Sequence, residues 1–491
     1  MMDLPTALHL SNRLGFGPAP GDIERIAAKD FGSFLDSQLH PQTASLPPNV
    51  NGLLSTLPSF GKNSAEAYAE YWWRDQVADP KSLPQDEKRK LKRRENQVTR
   101  EAQTARLGRA VGSSWQLHEA LVEFWFNHFN VYAKKGPLRV WIGSYENEAI
   151  RPHTLGRFSD LLLATAKHPA MLVYLDNAQN VAPVSRDEDG TPGARRLTGK
   201  QKANGINENY AREVMELHTL GVDGGYTQAD VISLAHILTG WTVGPGADSD
   251  AAMAADKFGK NRGSFRFAYR KHDSSRELLL GRTFSGDDVN EGDAALLMLA
   301  AHPATANHIS LQLAQYFVAD VPDPALVGEM AKTFHGTGGD IRSVLKTMLT
   351  HPQFLAPENF GTKFKTPYRY VVSAARAVGM NPSNVRPLAA ALQDLGQPLY
   401  GCLSPDGYAC TKSAWLDPNG LLQRLTFAMR MGDGEYGALD LQDRGTAGID
   451  PDRLRETLAP ALGKTTLAVV AETPKNHRAG AILGSPDFMR C

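Results

Sequence analysis

The sequence has few cysteines, no long apolar stretch and no excess of either charge. Three cysteines, Cys402, Cys410 and Cys491, occur in 491 residues, which excludes a small scaffold held together by disulfides. Lysine plus arginine and aspartate plus glutamate each number 53, so no overall field attracts nucleic acid or an anionic membrane. No apolar run approaches the roughly 18 residues that a membrane helix needs. The sequence therefore predicts a globular protein with no membrane span and no nucleic-acid partner.

The start of the sequence and the cysteine pair leave the cellular compartment open. The stretch MMDLPTALHLSNRLGFGPAP has no basic segment followed by an apolar core, so as written it is not a secretion signal. A cytoplasmic location is expected for the sequence as written, and a periplasmic or secreted one if a signal was removed. A Cys402–Cys410 disulfide would indicate an oxidising compartment, whereas two free thiols would not.

Several well-known catalytic signatures are also missing. The sequence contains no His-Glu-x-x-His, no paired Cys-x-x-Cys, no phosphate loop, no Gly-x-Ser-x-Gly and no dinucleotide fingerprint. No organic cofactor is therefore predicted. A divalent metal held by His and Glu side chains from separate helices would leave no local motif, and it stays an alternative.

Apolar residues recur at helical spacing along most of the chain, and the alternation typical of strands is scarce. In three places a Leu-rich segment ends in His-Pro, at His168, His302 and His351. We expect each proline to stop a helix whose last turn holds the histidine.

The fold class predicted from these patterns is mainly α, with one large multi-helix domain over residues 1–491. Strand-like pieces near 264–284 fit at most a small β-hairpin. Two segments rich in Gly, Pro or charge, near 183–204 and 244–262, are expected to be flexible insertions.

The segment WQLHEALVEFWFNHFNVY, residues 115–132, predicts an embedded helix with a narrow polar stripe. Glu123 and Asn127 belong to this stripe, and most other side chains are aromatic or aliphatic. Such a stripe either reaches solvent or lines a polar interior. His128 lies on the apolar side, where a histidine bonded within the core is the simplest interpretation.

The segment NENYAREVMELHTLGVDGGYTQADV, residues 207–231, is the most polar helix-length run in the chain. One interpretation is an amphipathic helix with a charged face, in which Arg212 and Glu216 form an exposed ion pair. The other is an active site, in which one of Glu213 and Glu216 stays protonated while a second carboxylate stays ionised. Spacing alone does not choose between these interpretations.

Six blocks, in order, carry a resemblance to a known family: LHLSNRLGFGPAPGDIERI, HEALVEFWFNHFNVY, YENEAIRPHTLGRFSDLLLATAKHPAMLVYLDN, residues 207–243, HPATANHISLQLAQYFVAD and PDGY…W. They resemble the large bacterial family catalogued as domain of unknown function 1800, over nearly the whole chain. The resemblance brings no established activity. Many members carry a secretion signal, which this chain lacks as written. Members are often encoded beside proteins that resemble alkaline phosphatases and sulfatases, which implies an envelope or extracellular role and a possible partner of that kind.

The family blocks coincide with the polar stripes, and this favours a site. The leading hypothesis is a hydrolase or lyase that uses Glu-based acid/base chemistry, with an envelope or extracellular glycan as substrate. Two alternatives stay open: a metal-dependent enzyme, and a non-catalytic scaffold for the phosphatase- or sulfatase-like protein. The candidate residues are, for catalysis, Glu213, Glu216 and Glu123; for substrate binding, Asn207, Asn209, Arg212, Tyr226, Asn127 and Arg151; and, for the alternative metal, His128, His153 and His218.

Overall fold

A computed structural model describes residues 1–41, 46–183, 205–244, 263–286, 288–436 and 448–491. Helices dominate, which confirms the mainly α fold class. In chain order they are α1 Leu4–Arg13, α2 Asp22–Ala27, α3 Phe31–Leu39, α4 Pro48–Ser55, α5 Ser64–Tyr71, α6 Gln85–Gly112, α7 Gln116–His128, α8 Leu138–Ser144, α9 Phe158–Lys167, α10 Pro169–Tyr174, α11 Asn209–Glu213, α12 Gln228–Ile237, α13 Glu291–Ala300, α14 Pro303–Phe317, α15 Pro324–Thr337, α16 Ile341–Thr350, α17 Pro367–Ala377, α18 Arg386–Asp394, α19 Lys412–Trp415, α20 Pro418–Gly432, α21 Pro451–Leu458, α22 Lys464–Glu472 and α23 Arg478–Leu483.

In the part of the chain that the structure describes, two helices continue into wider π-helical turns. The segment Tyr145–Ile150 extends α8, and Val214–His218 extends α11. A π-helical turn shifts the side chains that follow it around the helix axis, and such turns are frequent at functional sites. Single-turn 3₁₀ helices include Arg151–His153, which follows the first π segment directly.

Within the described ranges, four short strands form two antiparallel pairs. Strand β1, Trp241–Val243, pairs with β2, Phe265–Phe267. Strands β3, Glu277–Leu279, and β4, Arg282–Phe284, form a tight hairpin. The expected hairpin near 264–284 is thus the β3–β4 pair, while β2 pairs with an earlier strand. The insertions expected near 183–204 and 244–262 lie, apart from residues 183 and 244, outside the described residues.

One hydrophobic core cluster extends from Ala7 to Met489 and includes the apolar residues of α7. Leu117, Leu121, Trp125 and Phe129 are fully buried, as the aromatic bulk of this segment predicts. Because α7 is enclosed on its apolar sides, its polar stripe faces the protein interior and the cavities beside it.

The His-Pro pairs begin helices as well as ending them. The Nδ1 atoms of His168 and His302 each accept a hydrogen bond from the backbone N–H two residues later, at 3.1 Å. His351 does the same at 3.3 Å. Each proline occupies the first position of the following helix, where its missing N–H costs nothing. The expectation that proline only stops a helix was therefore incomplete.

Among the described residues, no helix is both long enough and apolar enough to cross a lipid bilayer. The three cysteines are free thiols in this structure.

Candidate functional site

A cavity of about 240 Å³ lies beside α7, where α14, the π segment Val214–His218 and the loop 404–411 meet. Carboxyl, amide, hydroxyl and thiol groups line it, together with the Phe124 ring. Two of the predicted site residues, Glu123 and Asn127, lie in its wall, and so does His128. This is the concave, partly polar setting in which ligand sites of proteins usually form.

Glu123 is 7% exposed and bonded through one carboxylate oxygen. The Tyr316 hydroxyl donates a hydrogen bond to Glu123 Oε2. Oε1 accepts no hydrogen bond from the part of the chain that the structure describes, so this oxygen remains for a ligand in the cavity. The guanidinium groups of Arg106 and Arg369 act on Glu123 electrostatically, which offsets part of the cost of burying its charge.

The Asn127 side chain forms hydrogen bonds that hold the loop 404–411 against the end of α7. Its Nδ2 donates to the Tyr408 carbonyl oxygen and its Oδ1 accepts from the Tyr408 N–H, both at 2.8 Å. Gly407 has φ +73°, and a Cβ there would lie 2.4 Å from the Asn127 carbonyl oxygen. Glycine is therefore required at this close approach. This contact brings Asp406 and Tyr408 into the cavity wall. Both polar atoms of the Asn127 side-chain amide are hydrogen-bonded to the backbone of Tyr408.

Glu213 and Glu216 lie around the junction of α11 and the π segment and are not among the residues that line the cavity. Both are partly exposed, and the next residue, Leu217, lines the cavity. Burial raises the pKa of Glu213, and the charges of Glu216 and Asp406 raise it further against the opposing effect of Arg212. The carboxylates of Glu213, Glu216 and Asp406 thus interact electrostatically near the cavity.

Tyr226 lies in the turn after the π segment and interacts electrostatically with Glu213 and Glu216. Burial raises the pKa of its hydroxyl, with a further contribution from Glu216. Arg212 counters these charges in part, but it also donates to Glu208 Oε2 at 3.0 Å and to Gln228 Oε1 at 2.8 Å.

Asn207 and Asn209 hold the start of α11 in place. The Asn207 N–H donates to Asn180 Oδ1 at 2.9 Å, and Asn207 Oδ1 accepts from the Asn209 N–H at 3.0 Å. Asn209 Nδ2 donates to the Leu175 carbonyl oxygen at 3.1 Å. These contacts position the segment that carries Glu213.

Arg151 lies in a buried ion network away from the cavity wall. It donates to both carboxylate oxygens of Glu119, at 3.0 and 2.9 Å, and its Nε donates to Glu146 Oε1 at 2.8 Å. Although burial opposes ionisation, Arg151 and His118 hold the pKa of Glu119 below its ordinary value. The Tyr400 hydroxyl donates to Glu146 as well, at 2.7 Å.

Two of the three alternative metal ligands come together. The rings of His128 and His218 lie 6.0 Å apart between centroids, and His308 lies 6.4 Å from His128. Burial and the neighbouring His308 lower the pKa of His128 to about 3. Half-buried His153 lies on the 3₁₀ turn 151–153, and burial lowers its pKa. No group of three or more His, Cys, Asp or Glu side chains in the described ranges is arranged to hold a metal ion.

A family model described as protein of unknown function (DUF1800) matches residues 9–490. The chain belongs to this family. Searches of curated proteins and of solved structures each found no match. The region matched by the DUF1800 model contains every residue of the cavity.

The cavity of this DUF1800 chain also contains residues that sequence reasoning missed: Asp406, Tyr408, Cys410, Gln312 and Tyr316. A signal for them existed, because Asp406 and Tyr408 belong to the block PDGY and Gln312 and Tyr316 to the block HPATANHISLQLAQYFVAD. Neither block forms a polar stripe, so neither was recognised as part of a site.

Proposed function

We propose that this chain is a hydrolase or lyase whose carboxylates perform acid/base chemistry in the cavity beside α7. The environment of the Glu123 carboxylate is the observation that supports the proposal most directly. A buried carboxylate with one oxygen bonded to Tyr316 and the other open to a cavity is poised to exchange a proton with a bound molecule. Asp406 lines the same cavity and supplies a second carboxylate.

Glu213 is the proposed general acid. A general acid must hold its proton near neutral pH, and a raised pKa serves this purpose. Burial, Glu216 and Asp406 all favour the protonated form of Glu213. Glu123, which interacts electrostatically with the guanidinium groups of Arg106 and Arg369, would act as the partner carboxylate.

A glycan of the cell envelope or the extracellular space is the proposed substrate class. Amide and hydroxyl side chains in the wall, including Gln315, Gln397 and Thr411, can donate to and accept from sugar hydroxyls. The ring of Phe124 offers an apolar face of the kind that sugar rings stack against. Glycoside cleavage commonly uses a pair of carboxylates.

The test measures the release of reducing ends from peptidoglycan, chitosan, alginate and xylan by the purified chain. Where the wild type is active, Glu123→Gln and Glu213→Gln are expected to lower kcat at least about 100-fold, the usual scale of acid/base catalysis. Glu123→Gln retains an oxygen that can accept from Tyr316, so the melting temperature should change little.

Glu472→Gln provides the matched control, because Glu472 is exposed on α22. It should keep full activity. Wild-type rates in both Glu123→Gln and Glu213→Gln would refute the assignment of these carboxylates, and inactivity of the wild type on all four polymers would refute this substrate class.

The metal-dependent alternative is favoured by one observation, the pairing of His128 with His218 next to the cavity. It predicts metal in stoichiometric amount by elemental analysis, and a melting temperature that falls when a chelator is added. The scaffold alternative predicts a stable complex with a phosphatase- or sulfatase-like protein and no effect of Glu123→Gln on binding.

A further inference from the structure

The cavity beside α7 has an acidic wall. Glu123 and Asp406 contribute two carboxylates to it, and none of the described residues that line it is a lysine or an arginine. His128 adds no positive charge, because burial and the neighbouring His308 lower its pKa to about 3. A molecule in the cavity therefore meets negative charge that the lining side chains do not compensate.

The two arginines that act on Glu123 are held in the core and do not line the cavity. Arg106 pairs with the buried carboxylate of Glu146, 3.5 Å away. Arg369 donates through Nη1 to two backbone carbonyl oxygens at the end of α1, at 3.0 and 3.1 Å. Neither guanidinium group is thus placed to bind an anionic group of a ligand in this cavity.

The acidic wall extends from the core to the surface. Glu123 is 7% exposed, and its Oε1 accepts no hydrogen bond from the described residues. Asp406 is exposed and accepts a hydrogen bond from the Ser404 hydroxyl. Burial raises the pKa of nearby Glu213, and the charges of Glu216 and Asp406 raise it further. Negative charge is therefore concentrated here, and one buried acceptor is still open to a ligand.

A primary ammonium group suits this wall. It is a compact positive charge with three donors and no acceptor, and it can donate to the carboxylate oxygens and to the side-chain carbonyl oxygen of Gln315 in the wall. Tyr408, which is partly exposed in the same wall, supplies an aromatic ring, a group that attracts cations. A carboxylate ligand would instead place like charges together, which costs binding free energy.

We propose that the molecule bound in this cavity is a glycan with free primary amines, such as a chain of glucosamine units, whose ammonium groups are attracted to Glu123 and Asp406. The inference rests on the proposed function for the ligand being a glycan, and it adds the charge of that glycan. Partial burial strengthens the attraction, because salt screens a charge pair less inside a cavity than at the surface. Acidic glycans such as alginate are expected to be the poorest ligands.

Isothermal titration calorimetry with two oligosaccharides of equal length, tetraglucosamine and tetra-N-acetylglucosamine, tests the proposal. The full chain carrying Glu213→Gln is used, because slow turnover leaves the ligand intact. At a pH that keeps the sugar amines protonated, tetraglucosamine should bind at least about tenfold more tightly. The difference should shrink as the salt concentration is raised from about 0.05 to about 0.5 M, because ions screen the attraction.

Charge-removing variants locate the effect. Added to Glu213→Gln, Asp406→Asn should weaken the binding of tetraglucosamine about threefold or more and leave that of tetra-N-acetylglucosamine unchanged. Glu123→Gln should have the same selective effect. Asp86→Asn is the matched control, because the Asp86 side chain at the start of α6 is 89% exposed. It should bind both oligosaccharides like the parent chain.

Equal affinities for the two oligosaccharides, a preference that survives both Asp406→Asn and Glu123→Gln, or no binding of either ligand would each overturn the proposal. Catalysis is measured separately. Release of reducing ends from xylan without a preference for tetraglucosamine would support the proposed function and refute the charge of the ligand. A charge-dependent preference without cleavage of any polymer would support the charge and refute the proposed activity.

Discussion

At Arg151, one guanidinium bonds to two buried carboxylates, Glu119 and Glu146, and Arg106 also pairs with Glu146. The Arg151 side chain is 10% exposed, and those of Glu119 and Glu146 are 3% and 5% exposed. Arg212 makes a superficially similar pair with Glu208, but their side chains are 39% and 37% exposed. The same chemical contact therefore has very different energetic weight at the two positions, because water screens the second pair and not the first.

Arg151→Ala is expected to lower the free energy of unfolding by about 3–5 kcal/mol, because it leaves Glu119 and Glu146 buried without their main counter-charge. Arg212→Ala serves as the matched comparison and should cost less than about 1 kcal/mol. Urea denaturation followed by circular dichroism measures both. Equal losses for the two variants would contradict the importance assigned to burial.

At the scale of the element, α7, the π segment Val214–His218 and α14 bring three neutral histidines together, His128, His218 and His308. Burial lowers the pKa of His128, His218 and His308 alike, and the first two gain a further lowering from neighbouring rings. Burial therefore favours the uncharged form of each ring. The junction of these elements therefore depends on histidines that remain unprotonated.

Acid should weaken this junction. A histidine has an ordinary pKa of about 6.5, and the pKa of His128 falls to about 3 in the folded chain. Between these values the unfolded chain binds a proton that the folded chain does not. The contribution of the neutral histidine to the free energy of unfolding is therefore complete above about pH 6.5. It decreases as the pH falls toward 3, by about 1.4 kcal/mol per pH unit for each such histidine.

Comparison of the wild type with His128→Gln isolates this effect from the protonation of carboxylates. Unfolding free energies measured from pH 7 to pH 4 should fall less steeply in the variant. Glutamine retains an amide that can donate to the His218 carbonyl oxygen, 3.2 Å from His128 Nε2. Identical slopes for the two proteins would show that His128 titrates normally.

Helix periodicity predicted the embedded stripe of α7, and with it the shared location of Glu123 and Asn127. It could not predict the other walls of the cavity. Asp406 and Gln312 come from distant parts of the chain, and their positions depend on tertiary packing that no local pattern encodes. Arg151 was expected to bind substrate, and its contacts with Glu119 and Glu146 became visible only once the helices were packed together.

At the scale of the whole molecule, residues near the two ends of the chain contact the same segment, residues 362–363. Cys491 and Lys363 exchange backbone hydrogen bonds at 2.8 and 3.2 Å, and Arg13 of α1 donates to Thr362 Oγ1 at 3.1 Å. Residues near both ends of the sequence thus contact the same segment before α17. The core cluster that they enclose is continuous from Ala7 to Met489.

The prediction of a single domain over 1–491, together with this closure, leads us to expect one cooperative unfolding transition. Tryptophan fluorescence and far-ultraviolet circular dichroism should give the same urea midpoint. Deletion of residues 489–491 should lower that midpoint for both probes, while deletion of Met1, which is 99% exposed, should leave it unchanged. Two separate midpoints would indicate that the chain contains independent domains.

The His-Pro junctions also restrict how the chain can change in length. A single residue, His168, separates α9 from α10, and His351 alone separates α16 from the 3₁₀ helix Pro352–Leu355. One residue inserted between the histidine and the proline would move the Nδ1 acceptor away from the backbone N–H that it now caps. Insertions and deletions among related sequences should therefore avoid these junctions, and an alignment that places a gap inside one of them has its register wrong.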